Sequence, residues 1–93
     1  MNTLTKSRTI KCALCGSSNV SHAGLQVFER KEDSETGFHV STLGGSVLFD
    51  TDISRNPSPR RHGFLVHFYC EECGGTFICS IMQHKGQTFI DWS

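Results

Sequence analysis

The sequence predicts an all-β protein built on one antiparallel sheet, and three observations carry that expectation. Apolar residues recur with period two along much of the chain, the spacing of strands with one buried face, and no window holds a sustained helical stripe. Glycine-bearing segments, Gly44-Gly45 and His84-Lys85-Gly86, sit between such runs where hairpins close. Two Cys-x-x-Cys-Gly segments, at 12–16 and 70–74, bracket most of the pattern.

Ninety-three residues, 37 % hydrophobic and 19 % charged, suit one globular domain over 1–93. A domain of this size buries only somewhat more than about 60 % of its unfolded surface, so its core is modest and extra bracing helps. Nine Lys and Arg balance nine Asp and Glu, which argues against bulk attraction to nucleic acid. Charge is unevenly spread. Lys6, Arg8 and Lys11 make the N-terminus basic, residues 29–35 are net acidic, and Arg55, Arg60 and Arg61 cluster, so any phosphate contact must be local. No run reaches the roughly 20 apolar residues of a membrane helix, and residues 1–11 lack the hydrophobic stretch of a signal peptide. The expected location is the cytoplasm, with no membrane partner. In that reducing setting five cysteines, an odd number, point to metal or redox work rather than a disulfide framework.

Taken in order, residues 9–12 lead into the first Cys pair, and 20–28 form a strand with Leu25, Val27 and Phe28 packing inward. Residues 29–37 are a charged connection. A hairpin follows, 38–43 against 46–51, with Gly44-Gly45 supplying the positive φ angles of a tight turn. Two prolines and a glycine exclude regular structure from 55–63, which reads as a mobile loop. A strand over 64–69 enters the second Cys pair, and a last hairpin joins 76–83 to 87–92. Cys79 falls on the apolar face of its strand as a small buried residue. Trp92 anchors the final strand.

The two Cys pairs share a form: thiols three apart, then glycine, in Cys12-Ala13-Leu14-Cys15-Gly16 and Cys70-Glu71-Glu72-Cys73-Gly74. That spacing lets one tight turn aim two sulfurs at one ion while its amides face the thiolates, and glycine permits the turn. Two such turns supply the four tetrahedral ligands Cys12, Cys15, Cys70 and Cys73. Soft thiolates suit zinc or iron, and zinc is the commoner occupant. With every position filled by protein, no place is left for water or substrate. One structural zinc ion is therefore expected.

These residues resemble the zinc-ribbon class, in which two Cys-x-x-Cys-Gly knuckles on β-hairpins pinch one zinc ion. The resemblance covers 10–16 and 69–92, and it implies a non-enzymatic module associated with nucleic acid or with a nucleic-acid-handling protein, as in transcription and ribosomal proteins. The sequence departs from the class in spacing: 54 residues separate Cys15 from Cys70, against about 15 to 20 in the usual pattern. Residues 20–69 are accordingly read as a β insertion that enlarges the ribbon. Rubredoxins share the knuckles too, which makes an iron redox carrier a further alternative.

Outside the metal set, Arg60 and Arg61 in the Pro-rich segment and His84 and Lys85 at the last turn are the candidate contacts to nucleic acid or a protein partner. Against them stands the reading of Arg60, Arg61, His84 and Lys85 as solvated loop residues. His22, His39, His62 and His67 have no carboxylate or nucleophile pattern beside them and default to surface or strand positions. No catalytic set is visible. An assembly module using the exposed strand edge of 38–51 is the competing function.

Overall fold

The computed structural model describes residues 9–93, so Lys6 and Arg8 lie outside the described residues. Alternating apolar and polar residues pair into six strands: β1 Val20–Glu29, β2 Phe38–Ser41, β3 Leu48–Asp50, β4 Gly63–Cys70, β5 Thr76–His84 and β6 Gln87–Trp92. They form one antiparallel sheet in the order β3-β2-β1-β4-β5-β6. The fold class is all-β, as the periodicity predicts. The long central strands β1 and β4 meet along most of their length, from Val20 opposite Cys70 to Phe28 opposite Gly63.

Turn chemistry decides how the hairpins close. Between β5 and β6, Lys85 (φ 50°) and Gly86 (φ 78°) take the two left-handed positions of a two-residue turn whose twist matches that of the strands. Between β2 and β3, Gly44 (φ 73°) and Gly45 (φ 78°) take the expected positive φ angles, but in a longer connection than a two-residue turn: the strands stop at Ser41 and restart at Leu48, with a 3₁₀ turn over Leu43–Gly45. Leu43 lies against Gly24, where a β-carbon would collide with its side chain.

The sheet has two unlike faces. On one, Phe68, Cys70, Phe77 and Cys79 are buried together with Cys12, which arrives from the N-terminal segment. Phe68 and Phe77 stack across the strand pair at 5.2 Å, and Trp92 leans on both at 6.1 and 5.9 Å. Such aromatic pairs add about 0.5–1.5 kcal/mol each beyond their area burial. On the other face the buried side chains are Phe28, Gln26, His39, Ser41 and Leu65. The inward set expected on β1 is thus corrected. A bulge between His22 and Gly24 leaves Ala23 without a partner, and Leu25 and Val27 face opposite to Phe28, since successive side chains alternate.

His39 and His67 sit on strands β2 and β4, one of the two settings expected of them, and Gln26, 4 % exposed, bridges them. Its Oε1 accepts from His39 Nε2 at 3.0 Å, its Nε2 lies 3.0 Å from His67 Nε2, and His39 Nδ1 faces Asp50 Oδ1 at 2.9 Å. No atom of this row is left both buried and without a partner, which is what makes its burial tolerable. Burial, with Arg55 nearby, lowers the His67 pKa, and an amide from Asp52 together with His39 holds Asp50 below the usual carboxylate range.

The segment between β3 and β4 has no regular structure, as its prolines and glycine predict, and it packs onto the sheet. Ser58 is 1 % exposed, donates to the Gln83 carbonyl at 2.7 Å and accepts from the Arg61 amide at 2.9 Å. Pro57 lies against Gly63, so the segment covers that end of the sheet.

Two outcomes follow for the folded, metal-loaded protein. Phe77→Ala should cost about 3–5 kcal/mol in denaturant unfolding, whereas Val47→Ala, at a position 78 % exposed, should stay within about 0.5 kcal/mol. Because the His67 pKa is lower folded than unfolded, its contribution is present above about pH 6.5 and fades as pH falls through the folded value. The thermal midpoint should therefore drop between about pH 7 and pH 5.5, and His67→Gln should flatten that drop.

Candidate metal centre

Each Cys pair folds as the same turn. Gly16 N–H donates to Cys12 O and Gly74 N–H to Cys70 O, both at 2.9 Å, while Cys12 N–H reaches Ser17 O (2.7 Å) and Cys70 N–H reaches Gly75 O (2.9 Å). The chain reverses through glycine at φ 81° in Gly16 and 74° in Gly74, backbone that a β-carbon would strain. In the first turn the amides of Leu14 and Cys15 point at Cys12 Sγ at 3.3 and 3.4 Å, the arrangement that stabilises a thiolate.

Sheet pairing brings the two turns together. Val20 lies opposite Cys70, so β1 starts where β4 ends, and Glu71 N–H donates to Asn19 O at 3.0 Å across the seam. Asn19 Nδ2 donates to Glu72 Oε1 at 2.8 Å, and Ser21 Oγ reaches Glu71 Oε1 at 3.4 Å. Glu71 and Glu72 thus fasten the second turn to the segment that follows the first, a role that no local spacing signals.

The four sulfurs of Cys12, Cys15, Cys70 and Cys73 all lie within 4.8 Å of one another. Cys12 Sγ is 3.8 Å from Cys73 Sγ, and Cys15 Sγ is 3.6 Å from Cys70 Sγ. A regular tetrahedron of thiolates about 2.3 Å from a central ion has edges of about 3.8 Å, so the donor set fits a four-coordinate metal. A disulfide needs sulfurs about 2.05 Å apart, and none of these cysteines is bridged. Cys12 and Cys70 are buried while Cys15 and Cys73 sit at the surface, so the site forms a lip of the sheet with its inner half in the core. Cys79 is buried among the aromatic residues and stands outside the cluster.

Four sulfurs this close cannot all hold negative charge unaided. Burial opposes ionisation of Cys12, but the Leu14 and Cys15 amides and the neighbouring thiols outweigh it and bring its pKa to about 7. At Cys15 the Ser17 amide favours the thiolate, yet the Cys70 sulfur and burial prevail and push the pKa up to about 12. Cys73, with the Gly75 amide acting against burial and Cys70, is also raised. A divalent cation removes that conflict by ionising the whole set.

The remaining candidates gather at the opposite end of the sheet. Arg60 is held by Asp33, Nε to Oδ1 at 2.8 Å and Nη2 to Oδ2 at 2.7 Å, and this pairing lowers the Asp33 pKa. Arg61 and Lys85 are exposed and His84 is partly buried. A hydrogen bond from Gln83 N–H to His62 O, 3.0 Å, joins the Arg60-Arg61 segment to the strand that ends at His84. No family model matches the chain, and no curated protein or solved structure matches it either.

Metal loading at pH 8 should release at least two protons per ion, those of Cys15 and Cys73, whose pKa values are raised. Calorimetry in buffers of different ionisation enthalpy reads that number, and a release below one would contradict the four-thiolate assignment.

Proposed function

We propose that the chain is a non-enzymatic module built on one structural zinc ion in a reducing compartment such as the cytoplasm. The observation that supports this most directly is the sulfur tetrahedron: four protein ligands at 3.6–3.8 Å edges across the two turns leave no position for a substrate. Zinc is preferred over iron because nothing around the cluster serves electron transfer, and closed four-cysteine sites are the ordinary structural use of zinc. In this reading the ion locks residues 9–19 onto the end of β4 and β5, and binding free energy becomes folding free energy.

A second reading, contact with nucleic acid, is favoured by one feature: the Arg60-Arg61 segment and the His84-Lys85 turn converge at one end of the sheet. Arg60 is already engaged by Asp33, which leaves Arg61 and Lys85 as its principal cations. Such binding would weaken as salt rises, by a slope of about one counterion per phosphate contact.

Native mass spectrometry and elemental analysis of the purified chain test the proposal, with one zinc per chain expected. Stripping the ion with a chelator should abolish the cooperative unfolding transition, and Cys70→Ser should do the same. A chain that stays folded and cooperative after complete removal of metal would overturn it.

A further inference from the structure

One face of the sheet carries an apolar row that crosses every strand. Phe49, Val40, Val27, Phe64, Ile81 and Ile90 lie opposite one another pair by pair, from β3 at one edge to β6 at the other. Antiparallel partners project to the same side, so the six side chains form one continuous ridge. A second apolar row runs beside it from Leu25 to Trp92, on the side toward the metal. Phe49 and Ile90 at the ends are 63 % and 62 % exposed, and the four residues between them are partly exposed. Among the described residues every close element contact joins neighbouring strands or links the 3₁₀ turn to β1, so no second layer of secondary structure lies over this face.

We infer that this face is the docking site for a second copy of the chain, giving a symmetric face-to-face dimer in which two sheets form a sandwich across a twofold axis. Three features commit the occupant. The rows contain no charged side chain, and the formal net charge of zero shifts only to about −2 with four thiolates around a divalent ion, so apposing the face with itself buries no like charges and meets little long-range repulsion. The opposite face is already covered, by Leu43 over Gly24 and Pro57 over Gly63, so face-to-face association closes at two copies. Six strands in the first row and four in the second, about 4.8 Å apart with rows about 6.7 Å deep, give a flat footprint of roughly 300 Å², within the range of the largest apolar patches that single chains expose and often use. With side-chain relief, two such footprints bury on the order of 1,000 Å², at the lower edge for a specific dimer. Aligned sheets pack about 10 Å apart with interdigitated side chains, and alternating Val, Ile and Phe provide that relief.

The dimer should be reversible, with dissociation in the micromolar range. Sedimentation equilibrium of the zinc-loaded full chain should show a mass that rises from 10.3 kDa toward twice that value with concentration. The double variant Phe49→Glu, Ile90→Glu should weaken association at least tenfold, with zinc content and circular dichroism unchanged, since both sites are exposed within one chain. Should that variant fail to load zinc, dilution of the wild-type chain followed by nuclear magnetic resonance gives the same answer: shifts should concentrate on Phe64, Ile81 and Ile90. A single-chain mass up to several hundred micromolar overturns the inference. So does a dimer unaffected by a folded double variant, or dilution shifts confined to the strand edges or loops.

Discussion

The closeness of four sulfurs at one end of a thin sheet is the constraint on which the rest of the structure depends. A single layer of strands has no interior of its own, and here the densest core lies where Cys12 folds under Phe68 and Phe77 beside Cys70. Residues 9–19 contribute no strand. What fixes them is the pair of turns at the metal site, with the hydrogen bonds that Asn19 makes to Glu71 and Glu72. Without a cation the thiols stand in conflict, their pKa values spread from about 7 to about 12, and a metal bound among them would hold the segment against the sheet.

The length between the Cys pairs takes on a different meaning once the pairing is known. A 54-residue separation looks like a long loop for the metal to close. In the fold, β1 runs antiparallel to β4 and returns the chain to Cys70, so strand pairing carries most of the closure and a metal held by the four cysteines would lock ends already adjacent. The hairpin of β2 and β3 extends the sheet beyond β1, away from the metal. The sheet therefore has a cysteine end, where chain segments meet at the two turns, and a far end, where the Pro-rich segment, the acidic Asp33 and the last turn meet.

The two faces solve the burial problem in opposite ways. One uses polar groups: Gln26, His39, His67 and Asp50 satisfy one another, with Phe28 stacked on His39 at 4.7 Å. Such a row is rigid because each member fixes the orientation of the next. The other face carries an aliphatic and aromatic row from edge to edge, which association with a second copy would protect beyond the cysteine end. A dimer formed there would cover the apolar rows while leaving both metal sites at the outer end of each sheet.

The sequence alone determined the strand pattern, the turn at Lys85-Gly86 and the chemistry of the four thiols, because period-two alternation, positive-φ turns and Cys-x-x-Cys-Gly spacing are local properties that nearby residues impose. It could not determine which face of β1 is buried, since the bulge at Ala23 depends on the pairing with β4. Nor could it show that Leu43 would settle on Gly24, that Ser58 would be buried under Gln83, or that His39 and His67 would meet across Gln26. Those outcomes join residues far apart in the chain, and only the three-dimensional register, with every buried polar atom seeking a partner, selects them.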